Sequence, residues 1–156
     1  GNFDLYKLHQ VIQIAMGWTD SHLHQFVVDG DHFGIPSSED YEPVKDERRV
    51  TLEKIAPSLK SKFIYEYDFG DSWTHHVVVE KILTPVPGET YPRCIAGKQA
   101  CPPEDVGGVW GYEDFLESLR DPEHEEHESN MEWLGEEFDP EAFDPAEVND
   151  SLSRLK

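Results

Sequence analysis

The stretch Tyr65-Glu-Tyr-Asp-Phe-Gly-Asp-Ser-Trp-Thr-His-His-Val-Val-Val-Glu80 leaves this chain few ways to fold. Two runs rich in aromatic and β-branched residues flank Phe69-Gly70-Asp71-Ser72, which has the Gly and Asp that a short hairpin loop uses. The pattern predicts a β-hairpin from Phe63 to Leu83. Side chains alternate along a strand, so Phe63, Tyr65, Tyr67 and Phe69 share one face and Ile64, Glu66 and Asp68 the other. On the second arm Trp73, His75, Val77 and Val79 oppose Thr74, His76, Val78 and Glu80. The aromatic face is the core face. The tip gathers Asp68, Asp71, Trp73, His75 and His76, titratable groups beside an aromatic ring, and these five form a candidate ligand site.

The remaining chain reads as helices and short strands. Asp4 can cap a helix to about Met16, with Leu5, Leu8, His9, Ile12, Ala15 and Met16 on one stripe and Gly17 ending it. From Ser21 to Gly30 the residues alternate, His22, His24, Phe26 and Val28 against Leu23, Gln25 and Val27, which predicts a strand that turns at Asp29-Gly30-Asp31 into a second one at His32 to Ile35. Pro36 to Glu47 is polar and reads as a surface loop. Thr51 can cap a short helix, Leu52 to Ala56, stopped by Pro57. Thr84 to Gly111 is long and irregular, and a loop of that length in a compact domain is usually functional or stapled. Helical spacing resumes at Tyr112 to Arg120, at Glu123 to Leu134, and from Pro145 to about Leu155. The expectation is an α+β fold: a single domain over residues 1–156 with an antiparallel sheet built round the central hairpin, helices packed mainly on one face, and acidic C-terminal helices.

Charge narrows the partners. The 13 Lys and Arg face 33 Asp and Glu, a formal net charge of -20, whereas nucleic-acid binding draws its affinity from basic residues on phosphates. Direct nucleic-acid binding is disfavoured, as is an anionic membrane surface, and a protein partner is favoured. No apolar run approaches a membrane span, and the start lacks a basic stretch followed by an apolar one, so a cytoplasmic, membrane-free placement is the expectation. Between Arg120 and Arg154 there is no Lys or Arg, which reads as a solvated helical face.

Candidate chemistry is sparse. Cys94 and Cys101 are spaced wider than a Cys-x-x-Cys zinc knuckle, and two cysteines are too few for a disulfide scaffold. His22 and His24, two apart on one strand face, can converge on a cation, as can His75 or His76 with Asp68 or Asp71; a divalent metal such as zinc is the cofactor these sets suit. The plain alternative is that the cysteines are small buried hydrophobes or a loop disulfide and that the histidines hydrogen-bond structurally. His124-Glu125-Glu126-His127 misses the zincin spacing by one residue and reads as a solvated helix. There is no Gly-x-Ser-x-Gly elbow and no phosphate loop, and the paired carboxylates Asp68/Asp71 and Glu104/Asp105 are expected in so acidic a chain without a role. No recognised catalytic motif is present.

Leu8 to Trp18, Ser21 to Phe26, Tyr65 to His75, Tyr91 to Gly97 and Ala100 to Gly108 together resemble, in the same order, the plasmid pRiA4b ORF-three-like family, also described as insertion-sequence passenger proteins or TnpR-like. The resemblance runs from about Leu5 to Leu152. It implies an α+β domain found in bacteria and archaea, often on mobile elements, with no established reaction. It also implies a pair of strands before the first helix, which this chain, starting almost at that helix, is expected to lack. Three readings stay open: a non-enzymatic binding or accessory module of plasmids or mobile elements, a metal-binding domain or metal-dependent enzyme using His, Cys and Asp, and a nucleic-acid-associated protein of a transposable element.

Overall fold

The computed structural model describes residues 3–135 and 138–155. Five strands form one sheet: β1 (His24–Val28), β2 (Asp31–Gly34), β3 (Val44–Asp46), β4 (Lys62–Tyr67) and β5 (Trp73–Val78), in the order β3-β2-β1-β4-β5. The helices are α1 (Leu5–Met16), α2 (Leu52–Ile55), α3 (Gly108–Arg120), α4 (His127–Leu134) and α5 (Pro145–Ser153). None of the described helices is long and apolar enough to cross a membrane.

Tyr65 lies between Phe26 of β1 and His75 of β5, and Tyr67 between His24 and Trp73. Those two rows, with Phe63, Val28 and Phe33, make the core face, on which Tyr65, Tyr67 and Phe26 are fully buried. Leu5, Leu8, Ile12 and Met16 of α1 pack on it, so the amphipathic stripe of that helix is matched to the aromatic face of the hairpin. Asp4 caps α1 by accepting from the Lys7 amide at 2.8 Å. At the other end Gly17 takes φ 75°, a left-handed conformation that costs glycine little.

Several expected details change. The sheet is mixed, because β3 pairs parallel to β2 within a stretch read as loop. A parallel neighbour requires the chain to travel back along the strand before pairing, and residues 35–43 make that return. Alternation in the hairpin stops at Asp68, whose φ is 56°. There the carboxylate Oδ1 accepts from the Gly70 and Asp71 amides at 3.0 and 3.3 Å, an Asx turn that turns Asp68 inward at 8 % exposure and leaves Phe69 out at 46 %. Thr51 precedes α2 without a side-chain cap; the Leu52 amide instead donates to the Phe3 carbonyl at 3.0 Å. Helix α3 starts at Gly108, earlier than Tyr112, since Gly107 at φ 95° turns the chain in and its amide donates to Asp71 Oδ2 at 3.0 Å. Helix α4 starts at His127 after two tight turns, so His124 and His127 do not share a helix face.

Candidate functional site

The ladder between β1 and β4 continues past both strands. The Asp68 amide donates to the Leu23 carbonyl at 2.8 Å, which brings His22 alongside Asp68. His22 Nε2 is 3.6 Å from Asp68 Oδ2 and 2.8 Å from Asp105 Oδ1. Asp105 is delivered by its neighbour: Glu104 accepts from the Tyr67 hydroxyl and from the Thr19 amide and hydroxyl. Burial pushes the Tyr67 phenol up, and the bond to Glu104 adds to it, so Tyr67 serves as a donor that fixes the loop.

A second polar group lies beneath, between α1 and the sheet. His9 is fully buried, its Nε2 2.9 Å from Asp20 Oδ1 and its Nδ1 2.8 Å from the Tyr65 hydroxyl. Gln13 Nε2 donates to that hydroxyl at 3.0 Å while its Oε1 accepts from the Asp20 amide at 2.9 Å. The ring closes if His9 carries its proton on Nε2 and Tyr65 donates to Nδ1. The imidazole of His24 stacks on His9 with ring centres 3.5 Å apart, and its Nε2 donates to the buried Glu47 at 2.9 and 3.0 Å. Asp20, His9 and Tyr65 have the carboxylate, imidazole and hydroxyl of a nucleophilic relay. Tyr65, however, is fully buried and its phenol is pushed up by burial, so the hydroxyl meets no substrate and the trio acts as a hydrogen-bonded core.

Asp20, His22 and His24 border one cleft of about 770 Å³, whose outer wall is the return loop with Glu39, Asp40, Tyr41 and Glu42. Tyr6 and Phe69 supply aromatic surface at its sides. No Lys or Arg lines it among the described residues.

The five hairpin-tip candidates do not converge. Asp68 faces His22, Asp71 holds the Gly107 amide, and Trp73 is core. His75 sits between Tyr65 and Trp18, its Nδ1 donating to the Trp73 carbonyl at 3.1 Å. His76 points to the opposite face, opposite Ile64. His22 and His24 part as well, the first toward Asp68 and Asp105, the second toward His9 and Glu47. Both cysteines are free, and neither joins a cluster of three metal-ligating groups among the described residues. Cys101 packs against the core, where burial pushes its thiol up to about 12; the Cys94 amide donates to Asn149 of α5 at 2.7 Å. Asp20 and Glu47 carried no signal as site residues in the sequence, and Asp105, paired with Glu104, was expected to have no role. His9 had a signal, a histidine on an otherwise apolar helical stripe, which a buried imidazole can occupy only with partners.

The buried imidazoles make stability depend on pH. Burial, and for His9 the stacked His24, holds His9 and His75 below the ordinary imidazole value of 6.5. As pH falls through about 6.5 the unfolded chain takes up protons that the folded chain does not, so stability is complete above that value and lost below it. His9 alone contributes a slope of at most about 1.4 kcal/mol per pH unit. In 0.5 M salt, which screens the net charge, the melting temperature should hold level from pH 8 to 7 and decline from 6.5 to 5. A level profile down to pH 5 would contradict the neutral burial of these rings.

The chain has relatives in sequence and in fold. A family model for the plasmid pRiA4b ORF-3-like protein matches residues 1–147. The uncharacterised protein y4hQ of Sinorhizobium fredii is 41% identical over 153 residues, 97% of this chain and 78% of that protein. The crystal structure of a protein of unknown function from Methanosarcina mazei, MM3350, superposes with a TM-score of 0.85 at 45% identity, covering 94% of this chain and 84% of the other. That likeness covers the α+β fold. By sequence and fold together, the chain belongs to the plasmid pRiA4b ORF-3-like family.

Proposed function

We propose that the protein is a non-enzymatic binding module whose cleft takes a positively charged segment of a protein partner. The observation that carries this reading is the lining: Asp20, Glu39, Asp40 and Glu42 border the cleft with no Lys or Arg among the described residues. Carboxylates converging on a concave surface raise the local concentration of a cationic ligand. Tyr6, Tyr41 and Phe69 offer ring faces on which a guanidinium or ammonium group can lie. A volume of about 770 Å³ suits a few side chains of an extended segment better than a bulky body. The plasmid description of the family supports an accessory role on mobile elements. Direct nucleic-acid binding draws no support from this lining, where phosphates would meet carboxylates.

The test must separate the cleft from the general acidity of the chain. Glu39→Gln, Asp40→Asn and Glu42→Gln together remove three exposed charges at the cleft, and Glu125→Gln, Glu128→Gln and Glu132→Gln together remove three from the C-terminal region. The two triple variants have the same net charge. With a short fluorescein-labelled Arg- and Lys-rich peptide, anisotropy should show about tenfold weaker binding for the cleft variant, the sum of three modest exposed contributions. The C-terminal variant should stay within about twofold of wild type. Equal losses in the two would show that the peptide reads only net charge.

A further inference from the structure

We infer that His22, Asp68 and Asp105 form a binding site for one first-row divalent cation at the edge of the cleft. This goes beyond the peptide-binding reading and does not depend on it.

The three side chains come from separate segments: the approach to β1, the turn after β4, and the loop before α3. Their donor atoms all lie within 4.8 Å of one another. Donors about 2.1 Å from a common ion sit roughly 3.0–3.4 Å apart, and the 2.8 and 3.6 Å from His22 Nε2 to its two carboxylates bracket that spacing. The imidazole itself points to a ligand. Its Nε2 is buried and has no hydrogen-bond partner, since Asp105 Oδ1, although 2.8 Å away, lies out of line for a ring N–H bond. A nitrogen that is close to two carboxylates and bonded to neither is placed for an ion between them.

The surroundings hold the donors in place. Asp68 has Oδ1 committed to two backbone amides, which leaves Oδ2 for the ion. The Asp105 segment is anchored through Glu104 by Tyr67 and Thr19. Supporting bonds of this kind orient ligands in metal sites. Two carboxylates balance a dipositive ion, and the imidazole shifts preference from Mg²⁺ and Ca²⁺ toward ions such as Zn²⁺ or Mn²⁺. His22 also lines the cleft, which puts the ion at its edge.

Calorimetric titration of the full chain with Zn²⁺ tests the site, with Mn²⁺ electron paramagnetic resonance as a second readout. The expected result is one ion per chain, with affinity reduced at least about tenfold by His22→Ala and by Asp105→Asn, and unchanged within about twofold by His32→Ala, a cleft histidine outside the cluster. Asp105 is a mainly exposed side chain, so Asp105→Asn keeps the test valid should His22→Ala fail to fold. Absence of stoichiometric binding overturns the inference. So does binding that His22→Ala and Asp105→Asn leave intact, or that His32→Ala weakens equally. The peptide assay run in EDTA separates a failure here from a failure of the cleft reading.

Discussion

Replacing Glu47 with alanine should lower stability by about 3–5 kcal/mol, about 1–3 for leaving the buried His24 N–H without its acceptor and about 2 for the void left behind. Glu47 is fully buried and its carboxylate takes both contacts from His24 Nε2, whose side chain is 6 % exposed. Alanine leaves that N–H enclosed with no acceptor and opens a void beside the stacked imidazoles. In a chain of this size each kcal/mol moves the melting temperature about 2–4 °C, so the fall is roughly 6–20 °C by calorimetry. Glu47→Gln keeps an acceptor oxygen and should cost about 1.5 kcal/mol or less. A Glu47→Ala protein melting within a degree or two of wild type would mean that the His9–His24 stack stands without its carboxylate.

Gly108→Ala should be nearly as damaging, and against the usual direction. Alanine in place of glycine within an ordinary helix stabilises by about 0.5–1 kcal/mol. At Gly108, however, φ is 69° and an added Cβ would meet the Asp71 carbonyl oxygen at 2.5 Å. The left-handed backbone costs an alanine about 1–2 kcal/mol and the forced displacement of backbone about 1–3 more, for a total of about 2–5 kcal/mol. Gly135 isolates the two contributions, because its φ is 73° and nothing lies within 4 Å of an added Cβ. Gly135→Ala should therefore lose only the backbone part. Urea unfolding of both variants reads the difference, and equal losses would show that the contact between the hairpin tip and α3 yields freely.

The elements that periodicity governs were legible in the sequence. The period of two in Phe63, Tyr65 and Tyr67 and the 3.6-residue stripe of Leu5, Leu8 and Ile12 mark which faces are buried, because those residues have no other way to leave water. Strand β3 is only Val44–Asp46, too short to show alternation, and its parallel partner depends on how the return loop closes. The site was legible in pieces. His22 and Asp68 stood out as ligand-forming types, but their meeting depends on the ladder continuing beyond β1 and β4, and Asp105 arrives from 37 positions further along than Asp68 because its neighbour Glu104 accepts from Tyr67, a bond that no local pattern announces. Glu47 stands among acidic residues in a polar stretch and nothing in its neighbourhood distinguishes it from a solvated one. Its burial follows from His24, which needs an acceptor inside the core.

The binding reading turns on where a cationic segment sits. Amide chemical shifts recorded while an Arg- and Lys-rich peptide is titrated into the protein, in EDTA, locate it directly. The changes should concentrate at Leu23, Gln25, Ile35, Tyr41 and Glu42, which border the cleft, with little change along α4 and α5. Changes spread over the acidic C-terminal helices, with the cleft no more affected than the rest, would contradict the binding reading.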